Sequence, residues 1–140
     1  MRGHPVTPEE MKQRTKAFGL RAIRLVAALP RGRAPDAVGR QLLRAATSVG
    51  ANYRAACRSR SDADFAARMG IVEEEADESL YWLEVLSESG IVAPSRLADL
   101  AREGEEILSI VVASIRTVKT RTRKAARRQS EIRIPKSEVV

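Results

Sequence analysis

Apolar side chains recur at helical spacing in four stretches of the chain, and proline or glycine stands between the stretches. The third stretch shows the pattern clearly, with Phe65, Met69, Val72, Ala76 and Leu80 three or four residues apart. This period places apolar side chains along one side of an α-helix. Only 4% of the residues are aromatic, and β-sheets rely on aromatic and β-branched residues. The sequence therefore predicts an all-α fold.

Capping residues set the expected ends of the first two helices. The first helix begins at a Thr7-x-x-Glu10 capping box, in which each residue can satisfy a free backbone N–H of the other. Pro30 ends it, because proline has no N–H to continue the helical bonding. We expect the second helix over residues 36–59, although Gly50 weakens a helix interior by about 1 kcal/mol relative to alanine.

The third and fourth helices are marked in the same way. Ser61 is a capping residue at the start of a helix expected over residues 62–89. Gly90 follows it at the position where glycine commonly ends a helix. We expect the fourth helix to begin near Pro94 and to fray within residues 121–128.

Short loops between long amphipathic helices are typical of bundles in which successive helices run in opposite directions. We therefore predict an antiparallel up-down-up-down four-helix bundle over residues 1–125, followed by a basic, flexible C-terminal tail over residues 126–140. The longest apolar run is well below the roughly 18–20 residues of a membrane span. A single cysteine allows no internal disulfide, so a cytoplasmic protein without a membrane partner is expected.

Residue types that carry catalysis are scarce. The chain has one histidine, His4, and one cysteine, Cys57. Histidine-based catalytic triads and cysteine or histidine zinc sites need more of these residues, and the P-loop motif is missing from the sequence. We expect no enzymatic activity, no cofactor and no metal site.

Three stretches in the second and third helices carry a more specific pattern. Residues 40–56 read RQLLRAATSVGANYRAA, residues 61–65 read SDADF, and residues 75–84 read EADESLYWLE. Their order and spacing, within residues 16–120, resemble the four-helix-bundle family of 23S rRNA intervening-sequence proteins. That family is similar in fold to the accessory variability determinant of diversity-generating retroelements.

The resemblance implies a small basic bundle that assembles as a homopentameric ring and has no known catalysis. The retroelement relatives bind nucleic acid and a reverse transcriptase, so RNA or DNA and a nucleic-acid enzyme such as a reverse transcriptase are the implied partners. Many family members have glutamate where this chain has Ala55. Any polar contact built on that glutamate is therefore missing here.

Charge is distributed unevenly along the chain. Residues 1–61 contain 13 basic and 3 acidic side chains, residues 62–106 contain 3 and 13, and residues 107–140 contain 9 and 2. The net charge of +7 indicates a polyanionic partner. The acidic middle equally allows the basic and acidic segments to pair with each other, within one chain or between copies.

The densest group of cations lies in residues 116–128, where seven basic side chains occur without an acidic one. Such blocks often serve as arms that bind polyanions. Aromatic residues do not interrupt the block, so base stacking is not expected there. The predicted nucleic-acid-binding residues of this block are Arg116, Lys119, Arg121, Arg123, Lys124, Arg127 and Arg128.

A second group of cations lies along the second helix. At 100° per residue, four arginines fall within a sector of about 80° opposite the apolar face. They can contact phosphates, remain solvated, or pair with an acidic stripe on the third helix of a neighbouring subunit. The arginines are Arg40, Arg44, Arg54 and Arg58, and the acidic stripe is Glu73, Asp77, Glu84 and Glu88.

Three other polar or aromatic residues stand out. Ser48 and Asn52 lie four residues apart at the edge of the apolar face, and we interpret them as a structural polar pair that binds a neighbouring helix or a backbone carbonyl. Trp82 lies off the main apolar stripe, which favours packing or a subunit interface.

Two functions fit these features. The first is a non-enzymatic, oligomeric protein that binds RNA or DNA electrostatically and scaffolds a nucleic-acid enzyme. The alternative is a self-assembling protein-interaction module that does not bind nucleic acid, in which the charged stripes serve only to join subunits.

Overall fold

The structure, a computed structural model, describes residues 5–132. It contains four α-helices, and no strand occurs within that range. The prediction of an all-α fold is therefore confirmed. The helices are α1 (Pro8–Ala27), α2 (Arg33–Ala56), α3 (Asp62–Glu88) and α4 (Pro94–Ile132).

The four helices form a bundle in which each helix packs against the next one along the chain. The interface between α1 and α4, which closes the bundle, is much smaller than the other three. Arg14 of α1 crosses this thin interface: its Nε lies 3.0 Å from Glu103, and its guanidinium lies 2.7 Å from Glu106. The four-helix bundle is confirmed, while its antiparallel alternation stays a prediction.

The predicted N-terminal caps of α1 and α3 are confirmed. Thr7 Oγ1 accepts a hydrogen bond from the backbone N–H of Glu10 at 3.1 Å, and Ser61 Oγ accepts one from that of Asp64 at 3.1 Å. The ends of α2 differ from the prediction by three residues, since it begins at Arg33 and ends at Ala56. Proline fits the first turn of a helix, so Pro35 does not prevent this early start.

The predicted end of α4 within residues 121–128 is wrong, because the helix continues to Ile132. Residues 126–132, predicted to belong to a flexible tail, are therefore helical. The sequence from 121 to 132 is rich in arginine, lysine, alanine and glutamine, which are strong helix formers. An ion pair between Arg127 and Glu131 at 3.6 Å adds support. Residues 133–140 lie outside the described range, and the division of the chain at residue 125 stays a prediction.

The core is aliphatic, with contributions from all four helices. Its largest fully buried side chains include Phe18 of α1, Leu42 of α2, Met69 of α3 and Ile107 of α4. The apolar stripe expected on the third helix is largely buried, but Phe65 and Leu80 are only partly buried at its edge. A single aliphatic core thus joins the four helices.

Glycine sets the distance between α1 and α2. Gly50 of α2 faces the backbone of α1, and a Cβ atom there would lie 3.2 Å from the carbonyl carbon of Thr15 and 3.3 Å from the nitrogen of Lys16. Gly19 of α1 faces the Cα atom of Thr47 in the same way, at 3.4 Å. The two helices are therefore in backbone contact, and this contact explains glycines that weaken both helix interiors.

The close approach of α1 and α2 can be tested with a matched pair of substitutions. We expect Gly50→Ala to lower the free energy of unfolding by roughly 1–3 kcal/mol, because the new methyl group meets backbone that must shift. Gly70→Ala is the control, since a Cβ there would meet nothing within 4 Å. It should raise the free energy of unfolding by up to about 1 kcal/mol through helix propensity. Urea unfolding followed by circular dichroism measures both, and equal effects would contradict the backbone contact.

Candidate nucleic-acid interface

The C-terminal part of α4 projects beyond the rest of the bundle. Val118 is its last buried residue, and every residue from Lys119 to Ile132 is exposed. At 1.5 Å per residue this exposed segment is about 20 Å long. We call residues 119–132 the α4 projection.

The cations of α4 lie mainly on the side that faces solvent. At 100° per residue, four of them occupy an arc of about 100° opposite the buried Val111 and Val118. Lys119, Arg121 and Arg128 flank this arc. All seven predicted cations are exposed, and together they form a basic surface around one helix. The four that share the arc are Arg116, Arg123, Lys124 and Arg127.

Two of these seven cations are engaged in ion pairs. Arg121 donates two hydrogen bonds to the carboxylate of Asp62 at the start of α3, both at 3.0 Å. The hydrogen bonds, and then the charge of Asp62, raise the pKa of Arg121. Arg127 pairs with Glu131. The other five cations form no ion pair with any residue of the 5–132 range, so their charge is available to a partner.

The four arginines predicted on α2 are all exposed, but they do not form one uniform stripe. Arg44 lies 3.3 Å from Glu78 of α3 in the same chain. Glu78 was not part of the acidic stripe predicted to pair with these arginines. Arg40 lies toward the start of α2, about 21 Å along the helix from Arg54. Arg54 lies in the last turn of α2. Arg58 lies beyond the helix, which ends at Ala56, so its predicted place in a helical stripe is wrong.

Arg54 and Arg58 belong to a basic cleft that the sequence analysis missed. The cleft lies between α1 and α2, has a volume of about 370 Å³ and contains Lys12 and Lys16 of α1. Among residues 5–132, Glu9 is the only acidic residue in its lining. The sequence signal for the two lysines is their spacing of four residues, which places them on one face of α1. We call this feature the α1/α2 cleft.

The α1/α2 cleft and the α4 projection lie at the same end of the bundle. A larger cavity of about 740 Å³ there is lined by Met11 of α1, Cys57 of α2, Phe65 of α3 and Arg121 of α4. Cys57 also lines the α1/α2 cleft, and Arg121 also lines a groove along the α4 projection. The fold therefore gathers cations from both termini of the sequence at one end.

Ser48 and Asn52 make hydrogen bonds within their own helix. Ser48 Oγ donates to the carbonyl oxygen of Arg44 at 2.6 Å, and Asn52 Nδ2 donates to that of Ser48 at 2.8 Å. Each side chain thus binds a carbonyl one turn earlier rather than a neighbouring helix. The structural role of this polar pair stays a prediction.

The predicted interface residues on α3 form an acidic outer surface. Asp77, Glu84 and Glu88 are exposed, and Glu73 is partly buried. A hydrogen bond and like charge from Glu88 raise the pKa of Glu84. This surface makes no ion pair with the arginines of α2 within residues 5–132, and its role between subunits stays a prediction.

Trp82 is partly buried beside this acidic surface. Its indole N–H donates to Glu78 at 3.4 Å, and its ring meets that of Tyr81 edge to face, with centroids 4.9 Å apart. Tyr81 is 56% exposed and was not predicted as an interface residue. The aromatic pair and the surrounding carboxylates form a mixed surface of the kind that partner proteins cover.

Other kinds of site find little support within residues 5–132. That range holds no cluster of three or more cysteine, histidine, aspartate or glutamate residues suited to a metal ion. None of its helices is long and apolar enough to cross a membrane. His4 lies outside the described residues.

The structure defines a four-helix-bundle protein with a basic end. Comparisons with known proteins identify its family. Residues 9–113 match the family model for the 23S rRNA-intervening sequence protein. The chain belongs to this family, as its sequence pattern indicated. A comparison with curated proteins finds no match.

A solved structure agrees with the family and the fold. It is the crystal structure of a protein of unknown function from the S23 ribosomal protein family of Bacteroides thetaiotaomicron VPI-5482. The two proteins are 28% identical, and their structures superpose with a TM-score of 0.73. The match covers 78% of this chain and 97% of the other.

Glu75, which lies near Arg44, makes the stability of the fold depend on pH. Glu75 of α3 has one carboxylate oxygen that is buried without a hydrogen-bond partner. Burial raises its pKa, and the nearby charge of Arg44 opposes the shift. A raised carboxyl pKa means that ionisation destabilises the fold, so stability is lost as the pH rises through the folded-state value.

We therefore expect Glu75→Gln to raise the free energy of unfolding at pH 7. The gain should shrink as the pH falls below the ordinary glutamate pKa of 4.5, because both side chains are then neutral. Glu74→Gln, at an exposed neighbouring position, is the control. Thermal unfolding from pH 4 to pH 8 measures the effect, and a loss of stability at pH 7 would contradict it.

Proposed function

We propose that this protein is a non-enzymatic, oligomeric nucleic-acid-binding protein, and that the α4 projection provides its main contact. The supporting observation is the combination of an exposed helix with cations that lack carboxylate partners among residues 5–132. Lys119, Arg123, Lys124 and Arg128 of the projection are exposed and form no ion pair there. Such a surface can follow a phosphate backbone.

The contact is electrostatic and weakly dependent on base sequence. Residues 116–132 contain no aromatic side chain that could stack on a base. Affinity then comes from phosphates that displace condensed counterions, so it falls as salt rises. The family description refers to a sequence that intervenes in 23S rRNA, which supports RNA as the first ligand to examine.

Oligomerisation would multiply this contact. The family resemblance implies a pentamer, in which every copy contributes one α4 projection. Several weak contacts on one polyanion raise the overall affinity without any new interaction. A basic ring of this kind is also suited to holding a nucleic-acid enzyme, such as a reverse transcriptase, against its substrate.

A self-assembling module that does not bind nucleic acid is the second candidate. The acidic surface of α3 with the exposed Tyr81 favours it, because the negative charge of this surface complements the positive charge of Arg54 and Arg58 on another copy. The first candidate predicts RNA binding that weakens as salt rises, whereas the second predicts no RNA binding.

Removal of residues 122–140 tests the main proposal. The deletion retains the Arg121–Asp62 ion pair and every buried side chain of α4, so we expect the bundle to fold. If four of the deleted cations neutralise phosphates, the slope of log affinity against log salt on duplex DNA should fall in magnitude by about 3.6. Fluorescence anisotropy over a salt series measures this slope.

The control for this deletion is the double variant Arg44→Glu, Arg54→Glu. It should leave most of the affinity if the α4 projection is the main contact. If the truncated protein binds fully and the double variant does not bind, then α2 and not the α4 projection makes the main contact. If the intact protein binds neither RNA nor DNA at low salt, the self-assembling module is the better account.

The oligomeric state is a separate prediction. We expect a mass in solution several times the 15.4 kDa of one chain, and a pentamer would have about five times that mass. Light scattering after size exclusion, with and without added RNA, measures the assembly and its ligand together. A mass of one chain at micromolar concentration would contradict oligomerisation.

A further inference from the structure

We propose that the α1/α2 cleft is a binding site for a phosphomonoester, a phosphate group attached through one oxygen and carrying nearly two negative charges. The site is separate from the α4 projection, because different helices form it and a small ligand can occupy it. Either proposal can therefore fail without the other.

Charge converges on the α1/α2 cleft from two helices. Lys12 and Lys16 contribute from α1, Arg54 contributes from the last turn of α2, and Arg58 contributes from the turn that follows the end of α2. The lining includes one carboxylate, that of Glu9, and one neutral amide, that of Gln13. With every ionisable side chain in its usual state, the lining has three more positive than negative charges.

The four cations of the cleft form no ion pair with any residue of the 5–132 range. Cations elsewhere on the bundle do have carboxylate partners: Arg14 pairs with Glu103, Arg68 with Asp64, and Arg121 with Asp62. A group of like charges in one concavity destabilises the folded state by repulsion. A bound anion would remove that repulsion.

The helix dipole accounts for the arginines of the cleft but not for its lysines. The C-terminal end of α2 carries partial negative charge, which favours Arg54 and Arg58 near it. Lys12 and Lys16 lie in the second and third turns of α1, where the dipole has little effect. The backbone contact at Gly50 is what brings these lysines beside the arginines.

The shape and donor set of the cleft suit a phosphomonoester. Arginine presents a planar fork that can bind two phosphate oxygens, and lysine provides compact positive charge. A phosphomonoester carries about −1.5 to −2 charges at pH 7, which matches a local excess of positive charge better than a singly charged diester does. The volume of about 370 Å³ leaves room for part of the attached group.

Small probes test the site directly on the full chain. We expect adenosine 5′-monophosphate to bind and to raise the unfolding temperature, and inorganic phosphate to compete with it. The uncharged adenosine should not bind, and the cyclic diester adenosine 3′,5′-monophosphate should bind more weakly. Calorimetric titration at low salt measures these affinities. No binding of either the monophosphate or inorganic phosphate would overturn the proposal.

Two double variants that remove equal charge locate the site. Lys12→Gln with Arg58→Gln should weaken binding of the monophosphate by roughly ten-fold, because each replaced cation loses a charge-assisted contact. Arg123→Gln with Lys124→Gln on the α4 projection should leave the affinity unchanged. Lys12 is partly buried and the other three side chains are exposed, so circular dichroism should show intact helices. Equal losses in both variants would show a general charge effect and overturn the cleft as the site.

Two sources can supply this chemistry: a free phosphate ester, or the phosphorylated 5′ end of a nucleic-acid strand. The strand end is the ligand if a 5′-phosphorylated oligonucleotide binds more tightly than its 5′-hydroxyl form. The Lys12→Gln, Arg58→Gln variant should then lose that difference. Equal binding of both forms, with monophosphate binding retained, would identify the free ester. Deletion of residues 122–140 should leave monophosphate binding unchanged, which separates this site from the α4 contact.

Discussion

The backbone contact between α1 and α2 determines much of what this bundle presents to its surroundings. Gly50 allows the backbone at Thr15 and Lys16 to approach α2 to within ordinary contact distance. A side chain at this position would require that backbone to shift by a few tenths of an ångström. Because α1 touches α4 only weakly, its position depends on α2, with Arg14 as the main polar link to α4.

The helices could be predicted well where a local signal marked them. The capping residues Thr7 and Ser61 act through bonds to residues three positions later, so the sequence alone contains the information. The end of α4 was not predictable in this way, because it depends on a balance between cation repulsion and helix propensity. The ion pair of Arg127 with Glu131 and the lack of glycine or proline before Pro135 favour the longer helix.

The candidate sites were predictable only where one helix carries them. The density of cations in the sequence marked those of α4, and helical periodicity marked the arginines of α2; all of these side chains are exposed. Neither signal could show that Arg44 and Arg121 pair with carboxylates of α3. It also could not find the α1/α2 cleft, since that site exists only after two helices pack. Tertiary contacts therefore decide which cations remain available.

The projecting end of α4 also links helix length to ligand binding. An isolated helix of fewer than about 12 residues is marginal in water, because nucleation is unfavourable. The residues beyond Arg121 avoid that step, since they extend a helix already ordered by the bundle. Repulsion among their cations opposes each added turn, and a polyanion would remove that opposition. A bound polyanion would thus stabilise the helical form of the surface that binds it.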